Sequence, residues 1–181
     1  MKSLKKIISA FVIALVFGLS LTSCSGYNFY KEFSEACADI EKDHIFEVLT
    51  LEEVKTKIEA DDTFVLVYGT AESVACVNVI TSLQAQAEYL GAAEKTIYFM
   101  DATEYIEGGS GSRKEVKEAI KINDPLSSKT ASPIIIIYKN GKVDVDTSAV
   151  DSSKTKKFLN ESGSVQYASL ASYIFREILA E

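Results

Sequence analysis

The segment from Gly69 to Cys76, GTAESVAC, follows a short apolar run (63–68, TFVLVY) and precedes a helical pattern. A buried strand that runs into a turn and a helix is a common place for chemistry in α/β proteins, because a helix N-terminus lowers the pKa of a thiol placed there. This segment has one sulfur, on Cys76, and Ser73 stands three residues before it. A serine hydroxyl stays protonated near neutral pH and forms no disulfide, so the segment excludes a dithiol cycle within itself.

Three interpretations of Cys76 follow from its position. It is a buried structural cysteine in the first turn of a helix, or a single functional thiol that binds or captures other thiols. The third interpretation is a structural disulfide with Cys37, which requires the two Cα atoms to lie within about 7 Å. Cys37 itself falls in an apolar helical stripe and is more typical of a small packed hydrophobe.

Other residues offer little for catalysis or for a cofactor. His44 is the only histidine, so the sequence holds neither a catalytic triad nor a histidine-rich metal site. There is no glycine-rich phosphate loop and no GxSxG motif. Asp101, at the end of a predicted strand, could face the same pocket as Ser73. The sequence therefore predicts no cofactor and no metal.

The N-terminus carries a targeting pattern. Three lysines within the first six residues precede an apolar run (7–19) that is too short for an ordinary membrane span. The next residues, Leu21 to Cys24 (LTSC), resemble the lipobox of bacterial lipoproteins, in which the cysteine receives diacylglycerol. The alternative is an ordinary signal peptide followed by a chance cysteine. The resemblance implies a signal peptide over 1–23, a lipid on Cys24, and a protein held on the extracytoplasmic face of a bacterial cell membrane.

The charge balance restricts the partners. Removal of the three N-terminal lysines from the 19 basic residues leaves 16 against 26 acidic ones, a net charge near −10. Such a chain is unsuited to nucleic acid and to electrostatic docking on anionic lipid. We therefore expect membrane contact through the lipid on Cys24 only, and a protein or peptide as the partner.

Hydrophobic periodicity predicts the element order β α β α β α β β α, preceded by a short tether and helix. Thr50 and Glu53 form a capping-box pattern, and Asn140-Gly141 is a two-residue hairpin turn. The predicted strands are 44–49, 63–68, 96–103 and a hairpin within 132–146. The predicted helices are 30–42, about ten residues after Thr50, 73–90, 113–122 and 165–180. Residues 25–29 are predicted to form the tether, and GGSGS (108–112) is predicted to form a flexible loop.

This order, with FVLVYGTAE leading to Ser73 and Cys76 and with Ser132-Pro133 before IIIIYKNGK, resembles the thioredoxin fold. The resemblance covers 44–181. It implies a three-layer α/β/α domain with a mixed central sheet, in which a parallel βαβ half is followed by an antiparallel hairpin and a C-terminal helix. Residues 24–43 would form the lipidated tether and a short helix.

The resemblance also implies roles for four residues. Ser73 matches the first cysteine of the thioredoxin CxxC motif and Cys76 the second, while Pro133 matches a cis-proline that faces the motif. The chain is also similar to small thioredoxin-like proteins of Gram-positive bacteria labelled bacteriocin transport accessory proteins. The expected function is a binding or accessory module that holds an extended peptide in a groove between Ser73 and Ser132-Pro133. The alternative is a monothiol oxidoreductase or disulfide-handling accessory protein acting through Cys76.

Overall fold

The computed structural model describes residues 27–36 and 40–180. The predicted signal peptide (1–23), Cys24 with its predicted lipid, and Cys37 lie outside the described residues, so the predictions made for them remain predictions.

A single five-stranded mixed sheet forms the centre of the described chain. Its spatial order is β1-β3-β2-β4-β5; β1, β3 and β2 run parallel to one another, and β4 and β5 are antiparallel additions. The strands are β1 (Phe46–Val48), β2 (Phe64–Gly69), β3 (Ile97–Asp101), β4 (Ile134–Lys139) and β5 (Lys142–Asp146). The predicted mixed α/β sheet, with its parallel half and antiparallel hairpin, is confirmed.

Helices precede the first strand, connect the parallel strands and follow the last strand. They are α1 (Phe29–Glu35), α2 (Leu51–Glu59), α3 (Val74–Tyr89), α4 (Thr103–Glu107), α5 (Gly109–Ile120), α6 (Ser153–Lys156) and α7 (Tyr167–Tyr173), the last continued by a π-helical turn (Ile174–Ile178). Thr50 caps α2 through the predicted capping box, since its side chain and that of Glu53 each accept from the other residue's backbone N–H. None of the helices in the described part of the chain has the length and apolar character needed to cross a membrane.

Two apolar cores lie on opposite faces of the sheet. All six residues of β2 are buried, with Val65 and Val67 in one core and Leu66 and Tyr68 in the other. Because successive side chains of a strand point to opposite faces, a strand buried on both sides must be covered by helices on both sides. The first core takes α1, α3 and α7, and the second takes α2 and α5.

The N-terminal helix differs in extent from the prediction. It begins at Phe29, within the predicted tether, and ends at Glu35. Phe29 and Phe33 are buried and both make edge-to-face contacts with Phe99 of β3, with ring centroids 5.1 Å and 5.3 Å away. These aromatic contacts, which no helical period encodes, tie the start of the chain to the sheet.

The prediction of a flexible loop at GGSGS (108–112) is wrong. Residues from Gly109 onward form the first turns of α5, and Gly109 itself adopts a φ of +75° where α4 turns into α5. Val116 and Ile120 on the same helix are fully buried against the sheet. Their burial stabilises the whole helix and outweighs the low helix propensity of glycine and serine at its start.

Candidate functional site

Ser73 is the N-cap of α3 and is completely buried, with 0% exposure. Its hydroxyl oxygen accepts a hydrogen bond from the Cys76 backbone N–H at 3.2 Å, and its O–H donates to the Ala131 carbonyl at 2.7 Å. Ala131 precedes β4 and lies 58 residues further along the chain. One hydroxyl therefore joins the start of a helix to a distant loop, and both of its hydrogen-bonding roles are in use.

Further contacts hold the same loop. The Thr70 hydroxyl donates to the Lys129 carbonyl at 2.7 Å, and the Lys129 ammonium lies 2.8 Å from Glu72 and 2.7 Å from Glu107. The two ion pairs are partly solvated and contribute less than the buried hydroxyl bonds. Together these contacts close the loop over the end of β2 and the beginning of α3.

Cys76 lies beneath this closed loop as a free and fully buried thiol, 0% exposed. Burial raises its pKa to about 12, and the nearby Asp101 carboxylate acts in the same direction, while a backbone hydrogen bond at Thr70 opposes them. The thiolate is the nucleophilic form, and it is essentially unpopulated at neutral pH. This environment fits the first interpretation, a structural cysteine; the disulfide interpretation depends on Cys37, which is outside the described residues.

Pro133 lies directly across Gly69 from Cys76. A Cβ atom added to Gly69 would be 2.7 Å from the Cys76 sulfur and 3.0 Å from the Pro133 Cβ, so only glycine fits between them. The prediction of a cis peptide bond before Pro133 is wrong, because the described residues contain no cis peptide bond. The trans form is favoured before proline by about 0.5–1 kcal/mol. With the peptide bond before Pro133 in the trans form, the Ala131 carbonyl accepts the hydrogen bond from the Ser73 hydroxyl.

An open pocket lies on the outer side of Pro133. Its volume is about 310 Å³, and the described residues around it combine apolar side chains with hydroxyl groups; they include Leu126, Ser132, Pro133, Val150, Val165 and Tyr167. Ser73 and Cys76 are not among them. The structure thus places the predicted pair Ser132-Pro133 on an accessible pocket and the predicted pair Ser73 and Cys76 in the closed core.

Asp101 lies beside Gly69 but lines a different pocket. It is paired in register with Gly69, and its carboxylate accepts a hydrogen bond from the Thr103 hydroxyl at 3.0 Å. Burial raises the pKa of this carboxyl group. The pocket that Asp101 lines is at the ends of β1 and β3, away from Pro133.

Sequence reasoning missed Thr70, Lys129 and Tyr167. Thr70 directly follows the buried strand β2. Its position could have indicated a side-chain hydrogen bond to a neighbouring loop at the end of the sheet. Nothing in the sequence pairs Lys129 with Thr70, because their contact depends on how the loop before β4 crosses the sheet. The sequence predicts Tyr167 only as part of the C-terminal helix, although it also lines the pocket beside Pro133.

His44 packs against aromatic rings. Its imidazole centroid is 4.8 Å from Phe29 and 6.2 Å from Phe46, and burial lowers its pKa. Over residues 27–36 and 40–180 there is no group of three or more histidine, cysteine, aspartate or glutamate side chains placed to hold a metal ion.

Neither a scan against models of known protein families nor a search of curated protein sequences gives a match to this chain.

Replacement of Ser73 by alanine tests the structural role of its hydroxyl. Ser73→Ala removes the helix cap and leaves the partly buried Ala131 carbonyl without its donor, so we expect a loss of about 2–3 kcal/mol in the free energy of unfolding. Denaturant titration followed by circular dichroism measures this loss. The matched control is Ser152→Ala, at the N-cap of α6, where the serine side chain makes no capping bond and the change should stay below about 0.5 kcal/mol. Equal losses in the two variants would contradict the assigned role.

Proposed function

We propose that this chain is a lipid-anchored, extracytoplasmic protein with a thioredoxin-like fold that binds a protein or peptide partner and carries out no dithiol chemistry. The observation that carries the proposal is the state of Ser73 and Cys76. The hydroxyl at the nucleophile position is fully engaged in structural hydrogen bonds, and the remaining sulfur is buried with a pKa of about 12.

The sheet topology supports the thioredoxin-like part of the proposal. In the order β1-β3-β2-β4-β5, a parallel βαβ half is followed along the chain by an antiparallel hairpin. Helix α3 begins shortly after the central strand β2. Pro133 directly precedes β4 and lies close to Gly69 and Cys76, as the resemblance implies. The trans bond before Pro133 is a departure from the thioredoxin pattern.

The closed loop argues against a peptide groove between Ser73 and Pro133. Ala131 and Lys129 already occupy the positions that a bound strand would need at Ser73 and Thr70. The pocket on the outer side of Pro133 is the better candidate for the binding surface. Ser132, Tyr167 and the partly exposed Val150 give it both hydrogen-bonding and apolar groups, which suits an extended peptide.

The position of Tyr27 supports anchoring close to the membrane. Its ring stacks on Phe99 of β3, with centroids 5.7 Å apart. Three residue steps separate Cys24 from Tyr27 and span at most about 11 Å. A diacylglycerol on Cys24 would therefore hold this end of the domain at the bilayer surface.

The anchor is tested by replacement of Cys24. Cys24→Ala should release the protein from the membrane fraction or leave an unprocessed precursor, because the lipid is the only membrane attachment in the proposal. Fractionation and mass spectrometry of the purified protein measure both outcomes, with Cys37→Ala as the matched control. Wild-type protein without an acyl group on Cys24 would rule the anchor out.

The binding surface is tested with a displayed library of extended peptides, selected on the full-length protein in detergent micelles. Val150 is 47% exposed at the pocket, so Val150→Glu should leave folding intact and weaken the selected peptides at least tenfold. Tyr89→Glu is the matched control, since Tyr89 is 81% exposed and lies at the far end of α3. Fluorescence anisotropy of labelled peptides gives the affinities. If both variants weaken peptide binding equally, or if neither weakens it, the pocket beside Pro133 is not the binding surface.

A further inference from the structure

A group of lysines lies at the β5 edge of the sheet. β5 is the last strand in the spatial order, and α6 packs beside it, where the Thr155 hydroxyl donates to the Asp146 carbonyl at 2.9 Å. The lysines come from α5 and its C-terminal cap, from the end of β4, and from α6 and its C-terminal cap. We call them the basic edge: Lys117, Lys121, Lys139, Lys154 and Lys157.

Three of these lysines line one pocket. Lys117, Lys121 and Lys154 lie around an open pocket of about 410 Å³, together with Asp144 of β5. The Lys154 ammonium pairs with the Asp144 carboxylate. Asp144 therefore lies in the middle of the basic edge.

The other two lysines join this group through one aromatic ring. The Tyr173 hydroxyl donates to the Asp144 carboxylate at 3.3 Å. The ammonium groups of Lys139 and Lys157 lie 5.5 Å and 4.3 Å from the centroid of the Tyr173 ring. Because Asp144 both lines the pocket and contacts Tyr173, the five lysines belong to one continuous surface.

The positive charge of this surface is only partly neutralised. Among the ion pairs of the described residues, one includes Lys154 and none includes another lysine of the basic edge. Asp146 is buried, and its carboxylate already accepts hydrogen bonds from neighbouring backbone and hydroxyl groups. Glu177 acts on Lys139 through space. The five lysines thus face three carboxylates, in a chain whose acidic residues far outnumber its basic ones.

Protection of the edge strand explains little of this surface. Lysines on an edge strand hinder its pairing with another sheet, and Lys142 on β5 suits that role. None of the five lysines of the basic edge lies on β5 itself. Their position favours contact with an acidic partner.

The basic edge adjoins the pocket beside Pro133. The turn between β5 and α6 (147–152) separates the two pockets, and its residues contribute to both. Thr147, Ser148 and Val150 line the pocket beside Pro133, whereas Ala149 and Ser152 line the pocket of the basic edge. A peptide that leaves the first pocket across this turn reaches the basic edge.

We propose that the peptide partner of this protein is acidic, with one segment in the pocket beside Pro133 and carboxylate side chains on the basic edge. This inference rests on the proposed peptide binding at Pro133 and adds the charge of the partner to it. Complementary charges speed association and discriminate against wrong partners. The net negative charge of the rest of the protein repels an acidic peptide and so restricts its contact to this edge.

A chain of phosphates fits the basic edge less well. The Asp144 carboxylate, between Lys154 and Tyr173, would repel a dense row of negative charges. The carboxylates of a peptide are separated by apolar and amide groups. Such groups can contact Val143 and the Ser152 hydroxyl in the pocket.

An anionic bilayer is disfavoured by position. Tyr27, close to the proposed lipid on Cys24, lines a pocket with residues of β1. β1 and β5 are the opposite edges of the sheet. The proposed anchor would therefore hold the basic edge away from the membrane.

The test uses three labelled peptides that repeat the unit Glu-Ser-Val, Gln-Ser-Val or Lys-Ser-Val four times. Fluorescence anisotropy measures their binding to the full-length protein in micelles of an uncharged detergent. The glutamate peptide should bind at least tenfold more tightly than the glutamine peptide, and the lysine peptide should not bind. Because salt screens exposed charges, binding should weaken at least threefold between about 50 and 300 mM NaCl.

Two results with these probes would contradict the proposal. One is binding of the glutamine or lysine peptide as tight as that of the glutamate peptide. The other is displacement of the labelled glutamate peptide by sodium hexametaphosphate at a lower concentration than by unlabelled glutamate peptide. That result would identify a phosphate chain as the better occupant.

Paired substitutions locate the contact. Lys117→Gln with Lys121→Gln, and separately Lys139→Gln with Lys157→Gln, should each weaken the glutamate peptide at least fivefold and leave the glutamine peptide unaffected. The matched control is Lys31→Gln with Lys42→Gln, which makes the same change in net charge at two exposed residues outside the basic edge. The control should change the affinity less than twofold. Equal weakening by the control and by the other two pairs would show a general charge effect and refute the basic edge as the contact.

A substitution without a charge change separates this inference from the proposed function. Val150→Gln alters the pocket beside Pro133 and should also weaken the glutamate peptide. Weakening by Val150→Gln alone would overturn the acidic partner and leave peptide binding at Pro133 intact. Weakening by the lysine substitutions alone would support the basic edge and remove the pocket beside Pro133 from the site. An affinity unchanged in all these variants would overturn both.

Discussion

The hydrogen bonds of one buried hydroxyl hold the central part of this protein together. Ser73 accepts from the Cys76 amide and donates to the Ala131 carbonyl, and it thereby caps α3 and fixes the loop that leads into β4. The close approach of Cys76 and Pro133 across Gly69 depends on that loop position. A buried bond of this kind matters mainly through the cost of breaking it, because either partner left alone would be unsatisfied.

The same interaction determines what the site can do. With the loop closed, Cys76 is kept away from solvent and its pKa is far above neutral, so the thiol serves packing. An accessible pocket is found instead beside Ser132 and Pro133, where we propose that a peptide binds. Binding, rather than electron transfer, is the activity that we propose for this arrangement.

Local patterns in the sequence predicted most of the fold. The capping box at Thr50, the Asn140-Gly141 turn and the apolar run of β2 each depend on neighbouring residues only, and all three are confirmed. The features that were missed depend on distant contacts. Burial of Val116 and Ile120 draws the glycine-rich segment into α5, and the bond between Ser73 and Ala131 joins residues 58 positions apart. Local patterns therefore predicted the strand, turn and helix around Ser73 and Cys76, whereas the closure of the loop over them depends on contacts between distant residues.

The most direct test of this account is the rate at which a thiol reagent labels Cys76 at neutral pH, measured in a Cys37→Ser background with and without Ser73→Ala. A buried thiol is labelled only through local opening, and a loss of about 1.4 kcal/mol in the protection raises the rate about tenfold. We expect slow labelling in the background protein, at least tenfold faster labelling after Ser73→Ala, and no change after Ser152→Ala. Labelling of the background protein at the rate of an exposed, low-pKa thiol would contradict the account and support a monothiol oxidoreductase instead.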